Sequence, residues 1–303
     1  VPVPLTGALL LTVPLDKLLG MAKPLRIATV NTNGVRAAYR RGMAGWLDGR
    51  GVDILAIQEV RASTEDLEGL LGPEWDILHD AATAKGRAGV ALASRAASSK
   101  HRKASIHRVT LGADEFDSAG RWLEADYEVG DKIITVVSTY VHSGEADTPK
   151  QVEKYKFLDA MEARMPELAA DGKLAVILGD LNVGHRRLDI RNWRGNQKAA
   201  GFLPAERAYW DRFVGAEDDP SYNAGAGLGW VDVGRKWAGE VDGPYTWWSW
   251  RGQAFANDTG WRIDYQLASP TLAPLVRDYV VDKAATYEER FSDHTPVVVD
   301  YDL

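Results

Sequence analysis

The feature that most constrains this chain is a recurring one: short apolar or β-branched runs, several of which end in polar side chains, with helical stretches between them. Leu25–Asn31, Asp53–Gln58, Ala88–Ser94, Trp122–Val129, Lys132–Thr139, Leu174–Gly179, Ile263–Ser269 and Pro296–Tyr301 read as strands. Pro149–Ala170 predicts a helix, because Val152, Tyr155, Leu158, Met161, Met165 and Leu168 recur at helical spacing and Pro149 suits an opening turn. Trp122–Val129 and Lys132–Thr139, joined by Gly130-Asp131, predict an antiparallel hairpin. Strand–helix units combined with hairpins imply an α/β fold with mixed sheets rather than one parallel sheet. No Pro/Gly/Ser-rich linker divides the 303 residues, so one domain is expected over 21–303. Residues 1–20 read as an N-terminal extension, disordered or non-native, too short and too interrupted by proline to span a membrane.

Charge narrows the partner classes. The 36 Lys and Arg against 43 Asp and Glu give a net charge of −7, which argues against a protein that coats nucleic acid through bulk charge. The positive charge is clustered, however, at Arg36, Arg40 and Arg41, at Lys100, His101, Arg102, Lys103, His107 and Arg108, and at His185, Arg186, Arg187, Arg191, Arg194 and Lys198. One such cluster is an ordinary solvated face; three on an acidic chain shift the balance toward a polyanion. The absence of cysteine excludes a thiol nucleophile, a Cys zinc site and disulfides. Eleven Trp suggest stacking surfaces if they cluster outside the core.

The chemistry gathers at strand ends, where an α/β architecture places its active site. They read Asn31-Thr32-Asn33-Gly34, Gln58-Glu59, Ser138-Thr139-Tyr140, Gly179-Asp180-Leu181-Asn182, Arg262-Ile263-Asp264-Tyr265 and Ser292-Asp293-His294. Singly, a Glu after a strand is an ordinary cap, Gly-Asp-x-Asn an ordinary turn and Ser-Asp-His an ordinary loop. Together they supply carboxylates for a hard divalent cation, a His with an Asp partner, and neutral Asn and Tyr donors for a phosphoryl group. That inventory suits metal-assisted hydrolysis of a phosphodiester.

The ordered series resembles the endonuclease/exonuclease/phosphatase superfamily from about Leu25 to the C-terminus. The resemblance implies a DNase I-like four-layer α/β sandwich, two mixed β-sheets face to face with helices outside. Two further runs are similar to the exonuclease III and abasic (AP) endonuclease branch. One is Gly179–His185 leading through Leu188–Asn192 to Gly195–Phe202; the other is Tyr245-Thr246-Trp247-Trp248 followed by Gly260–Tyr265. The branch implies a DNA-repair hydrolase that is an abasic-site endonuclease with 3′–5′ exonuclease and 3′-phosphatase activity. It implies double-stranded DNA with abasic sites or blocked 3′ ends as partner, a monomer, no membrane, and a cytoplasmic setting. It implies Mg²⁺, for which Mn²⁺ is expected to substitute.

Carried over residue by residue, the resemblance makes Tyr140, Asp180, Asn182, Asp264 and His294 catalytic. It gives Glu59, Asn33, Asp293, Asp180 and Asn182 to the metal. Trp247, Trp261 and Ile263 wall a slot for the baseless sugar, and Asn196, Arg36, Arg61, Arg187 and Arg194 meet DNA. Two departures stand out: Ala199 replaces a second Asn three residues after Asn196, and Tyr140–Gly144 lacks the usual Pro. Alternatives on the same fold are a nonspecific DNase I-like nuclease, an inositol-phosphate phosphatase or a sphingomyelinase, which share the metal and His chemistry but not the Trp247/Trp261 slot. An inactive DNA-binding scaffold would have lost catalytic residues, whereas every such position here is filled.

Overall fold

The structure, a computed structural model, describes residues 23–84, 86–96, 98, 100–108, 111, 116, 119–216 and 226–303, with the backbone alone for 102–108. The extension expected at 1–20, and the side chains of Arg102, Lys103, His107 and Arg108, lie outside the described residues.

Two six-stranded sheets form. The first runs β11 (Val276–Val281), β12 (Val297–Tyr301), β1 (Leu25–Asn31), β2 (Ile54–Gln58), β4 (Val90–Arg95), β3 (Trp75–Asp80). The second runs β5 (Arg102–Arg108), β6 (Trp122–Val129), β7 (Lys132–Tyr140), β8 (Leu174–Asp180), β10 (Asp264–Ala268), β9 (Val231–Asp232). Among the described residues only β1–β2 and β7–β8 pair in parallel, so both sheets are mixed. The hairpin forms as expected, with Val129 opposite Lys132. The helices are α1 (Val35–Arg40), α2 (Met43–Arg50), α3 (Thr64–Leu71), α4 (Pro149–Ala169), α5 (Trp193–Asn196), α6 (Pro204–Val214) and α7 (Val233–Ala238).

The strands read as continuous apolar runs because both of their faces are covered. Ile27, Ile54, Ala56 and Leu92 meet Leu123, Ala125, Val136, Val176 and Leu178 between the sheets. Alternate residues point outward: Ala28, Leu55 and Ile57 pack with α1, α2 and α3, and Val137, Ala175 and Ile177 with α4 and α6. The result is the four-layer sandwich. No helix among the described residues is long and apolar enough to cross a membrane.

Helix α4 carries one correction. Val152 is 55% exposed, and the buried face instead uses Gln151, Lys154, Phe157, Leu158, Met161, Met165 and Leu168. The stripe rotates because Lys154 is buried with its charge matched: Nζ lies 2.6 Å from Glu206 and donates to the Asn182 carbonyl at 2.8 Å. A helical spacing of apolar residues cannot register an inward-pointing ion pair.

A second buried network fixes the approach to β10. Arg262 donates to Asp189 at 2.8 Å and to both Asp232 oxygens at 3.0 and 2.7 Å, while Arg235 donates to Asp189 at 2.5 Å. Two guanidinium groups and two carboxylates thus cancel inside the protein, tying the 186–190 turn and the start of α7 to the strand. Arg262→Leu strands two buried carboxylates against one remaining cation. It is expected to cost about 3–5 kcal/mol in chemical denaturation, and a loss below about 1 kcal/mol would contradict this role for the network.

Candidate active site

The ends of β1, β2, β7 and β8, the segment entering β10 and the turn before β12 surround a cleft of about 400 Å³. Asn33, Glu59, Tyr140, Asp180, Asn182, Asp293 and His294 line it, so residues spread from 33 to 294 in sequence are brought together. Asp264 sits behind His294, fully buried. Asn33, Glu59, Arg61 and Asn182 all adopt positive φ, near 50°. Left-handed backbone at four non-glycine positions around one cleft is strain of the kind that clusters at functional sites.

Asn31, whose role the strand-end reading left unassigned, is the hub. Its Nδ2 donates to Glu59 Oε1 at 3.0 Å and to Asp180 Oδ2 at 2.9 Å, and its Oδ1 accepts from the Asn33 backbone at 2.9 Å. Asn33 Nδ2 in turn donates to Asp293 Oδ1 at 3.0 Å, and Trp247 Nε1 to Asp293 Oδ2 at 3.2 Å. Asn182 donates its backbone N–H to Asp180 Oδ1 at 3.0 Å. Arg61 lies on Glu59. Arg121, also unread in the sequence, stacks on the Tyr140 ring at 4.6 Å and donates to the Tyr140 carbonyl at 3.0 Å.

His294 Nδ1 meets Asp264 Oδ2 at 2.9 Å, and Nε2 stands 3.7 Å from Asp180 Oδ2. Burial lowers the affinity of His294 for a proton, but Asp264 and Asp180 outweigh it and raise the imidazole pKa to about 10. Burial pushes Asp180 up to about 7, with Asp264 and Glu59 adding to it and His294 opposing. Burial would also raise Asp293, yet His294, Asn33 and Trp247 hold it below the usual carboxylate range. Burial first, then Glu59 and Asp180, push the Tyr140 phenol upward, so it stays a neutral donor.

The donor set fits a divalent cation. Glu59, Asp180 and Asp293 crowd three carboxylates into one cleft against Arg61 and His294, with Asp264 buried behind His294, and hard cations take oxygen ligands. Asp180, Asp264 and His294 are a tight group able to hold a metal, although His294 and Asp264 already satisfy each other through Nδ1. Glu59, Asn33 and Asp293 offer further oxygen atoms to the same cleft.

Beside this cluster, Trp247, Trp261 and Ile263 line the same cleft. The two indoles meet edge to face at 6.0 Å, and backbone bridges join Trp247 to both Trp261 and His294. Gly201 floors the slot: its φ is +90°, and an added Cβ would stand 2.8 Å from Trp261. Asn196 does not line the cleft; on α5 its side chain donates to the Asn192 carbonyl at 2.9 Å.

The basic residues are more committed than their clustering implies. Arg36 pairs with Asp66 at 3.0 Å, His185 with Asp211 at 2.8 Å, Arg186 with Glu240 at 2.6 Å and Arg191 with Asp242 at 2.8 Å. Arg187 and Arg194 both pack on the Trp193 ring, at 4.7 and 4.6 Å.

Gly201→Ala tests the slot's floor. Strained backbone and contact with Trp261 predict a loss above about 1 kcal/mol in thermal or denaturant unfolding, and an unchanged midpoint would contradict this packing.

Comparison with known proteins agrees with this geometry. The family model described as the Endonuclease/Exonuclease/phosphatase family matches residues 28–294. The chain is 29% identical over 276 residues to the exodeoxyribonuclease of Bacillus subtilis (strain 168), covering 90% of this chain and 98% of that one. It is 27% identical to the DNA repair nuclease APEX1 of Danio rerio, covering 92% and 83%. An AP endonuclease structure from Archaeoglobus fulgidus superposes with a TM-score of 0.75 at 26% identity, covering 92% of this chain and all of that one. A 3′–5′ exonuclease from Neisseria meningitidis gives 0.74 at 25% identity, with the same coverage. The chain belongs to the endonuclease/exonuclease/phosphatase family, on its exonuclease III and AP endonuclease branch.

Proposed function

We propose that this protein is a Mg²⁺-dependent DNA-repair phosphodiesterase that cuts the backbone at abasic sites and also acts on 3′ ends. The observation that carries the reading is the placement of the Trp247/Trp261/Ile263 slot in the same cleft as Asp180 and His294. A sugar without a base is small and apolar-faced, so an aromatic slot beside the phosphate chemistry accepts it and excludes an intact nucleotide.

Glu59, with Asn33 and Asp293 and with Asp180 and Asn182 within reach, would hold the ion. Bound there, Mg²⁺ supplies charge neutralisation at a phosphate or leaving oxygen. The chain's own residues do the rest. Asp264 fixes the His294 ring through Nδ1, leaving the protonated Nε2 side to contact a scissile-phosphate oxygen. Asp180, with its raised proton affinity, takes a proton from the attacking water and can return it to the departing 3′ oxygen. Asn182 and Tyr140 donate to the phosphoryl oxygens without repelling the nucleophile. Water adds to phosphorus, the P–O3′ bond breaks, and the products are a 3′-hydroxyl and a 5′-deoxyribose phosphate. Arg187 and Arg194, exposed and packed on Trp193, are assigned to the DNA backbone; Arg36 and Arg61 join them only by leaving Asp66 and Glu59.

The test is cleavage of a duplex bearing one abasic-site analogue beside an undamaged duplex, with Mg²⁺ and with EDTA. Mg²⁺-dependent incision at the lesion is expected, with Glu59→Gln and His294→Ala each slower by roughly 10²-fold or more. Trp261→Ala should blur the difference between the two duplexes. A loss under about tenfold for Glu59→Gln or His294→Ala would remove that residue from its role. No cleavage of either duplex would overturn the function.

A further inference from the structure

A buried ion pair that the chemistry does not use lies directly behind the catalytic cleft. The side chains of Lys154 on α4 and Glu206 on α6 are both fully buried, with Nζ 2.6 Å from Oε1. A pair removed this far from water adds little stability by itself, because desolvation of the two charges offsets their attraction. What distinguishes it is what else the two groups hold.

Nζ donates to the Asn182 carbonyl at 2.8 Å and to the Ser143 carbonyl at 3.2 Å, which with Glu206 spends the ammonium's three hydrogens. Gln151 donates to Glu206 Oε1 at 2.9 Å, and Oε2 accepts from the Gly201 and Leu203 backbone at 2.7 and 2.9 Å. Ser143, Asn182 and Gly201 all line the cleft. Lys154 therefore holds the wall that carries Asn182, and Glu206 holds the floor of the tryptophan slot. The two holds converge: a Cβ on Gly201 would stand 3.2 Å from the same Asn182 carbonyl that Lys154 grips.

Asn182 depends on such support. Its φ of +51° is a left-handed conformation that persists only where the surroundings over-determine it. In that conformation its N–H reaches Asp180 Oδ1 at 3.0 Å and its Nδ2 reaches the Val141 carbonyl at 2.9 Å. The other cleft segment, at Gly144, packs on the same group, since an added Cβ there would strike the Gln151 amide and the Lys154 chain.

We propose that Lys154 and Glu206 are positioning residues for the phosphodiester reaction: the pair touches no substrate and fixes the spacing between the phosphate wall at Asn182 and the slot floor at Gly201. This rests on the proposed function for the use made of that spacing, and not for the hold on the two walls.

The full chain is compared as wild type, Lys154→Met, Glu206→Gln and Arg164→Met. Arg164 is the control, because it lies on the same helix and pairs with buried Glu124 at 2.7 Å, while neither residue lines the cleft. Two quantities are read: the single-turnover rate on saturating abasic duplex beside the duplex Kd, and amide hydrogen exchange over residues 181–184 and 199–203. Lys154→Met and Glu206→Gln should lower the saturating rate by roughly 10–10²-fold and speed exchange in both segments. Kd should stay within about threefold, because duplex affinity comes mainly from phosphate contacts that the pair does not make. Arg164→Met should leave rate and exchange as in the wild type, even where it lowers the unfolding midpoint. If Lys154→Met does not fold, the isosteric Glu206→Gln carries the test. A saturating rate within about threefold of wild type in a folded variant, unchanged exchange in both segments, or an equal loss in Arg164→Met overturns the positioning role. Exchange needs no substrate, so a protein that cuts no abasic duplex fails the proposed function while the hold on the two walls is still judged.

Discussion

One amide holds the two sheets' carboxylates in a single site. Asn31, at the end of β1, donates both to Glu59, which follows β2 in the same sheet, and to Asp180, at the end of β8 in the other. Burial drives Asp180 up to about 7, with Asp264 and then Glu59 adding their repulsion, so the pair seeks protons or cations. The shared donor keeps that tension local. Similar polar links join the sheets elsewhere: Gln58 donates to Ser138 at 3.0 Å, and Gln266 to the Ile27 carbonyl at 3.0 Å while accepting from Tyr301 at 2.9 Å. The cleft is therefore a property of the sandwich as a whole rather than of either sheet.

Much of this was legible in the sequence, and the gaps have a common cause. The eight strands read from apolar runs are all interior to their sheets, within a residue or two of their observed ends. The four that escaped, β3, β5, β9 and β11, are the four sheet edges. Edge strands carry polar and charged residues, as in Val276-Arg277-Asp278 of β11, so they lack the apolar signature. In the site, residues at strand ends were readable because their position states their direction. Arg121 and Lys154 were not, and Asn31, though read at a strand end, was given no role, because each takes its meaning from a partner far away in sequence or from another layer. The charge clusters fared likewise: a sequence counts cations, but only the fold reveals Asp211, Glu240 and Asp242 beside them.

The tryptophans divide the same way. Trp122, Trp210, Trp230 and Trp248 are fully buried core, whatever their abundance suggests about stacking. Trp247 and Trp261 are half-exposed and face the cleft, held there by backbone bridges to each other and to His294. Behind them the Arg262–Asp189–Asp232–Arg235 network immobilises the strand entry. Slot and phosphate chemistry thus share one rigid support, which sets the distance between a bound sugar and the group that cuts beside it.

The most direct measurement is single-turnover incision of an abasic duplex by Asn31→Ala, with circular dichroism to establish folding. If one amide holds Glu59 and Asp180 in register, incision falls by roughly 10²–10³-fold in a protein that remains folded. A folded Asn31→Ala that cuts within about tenfold of wild type would contradict the account.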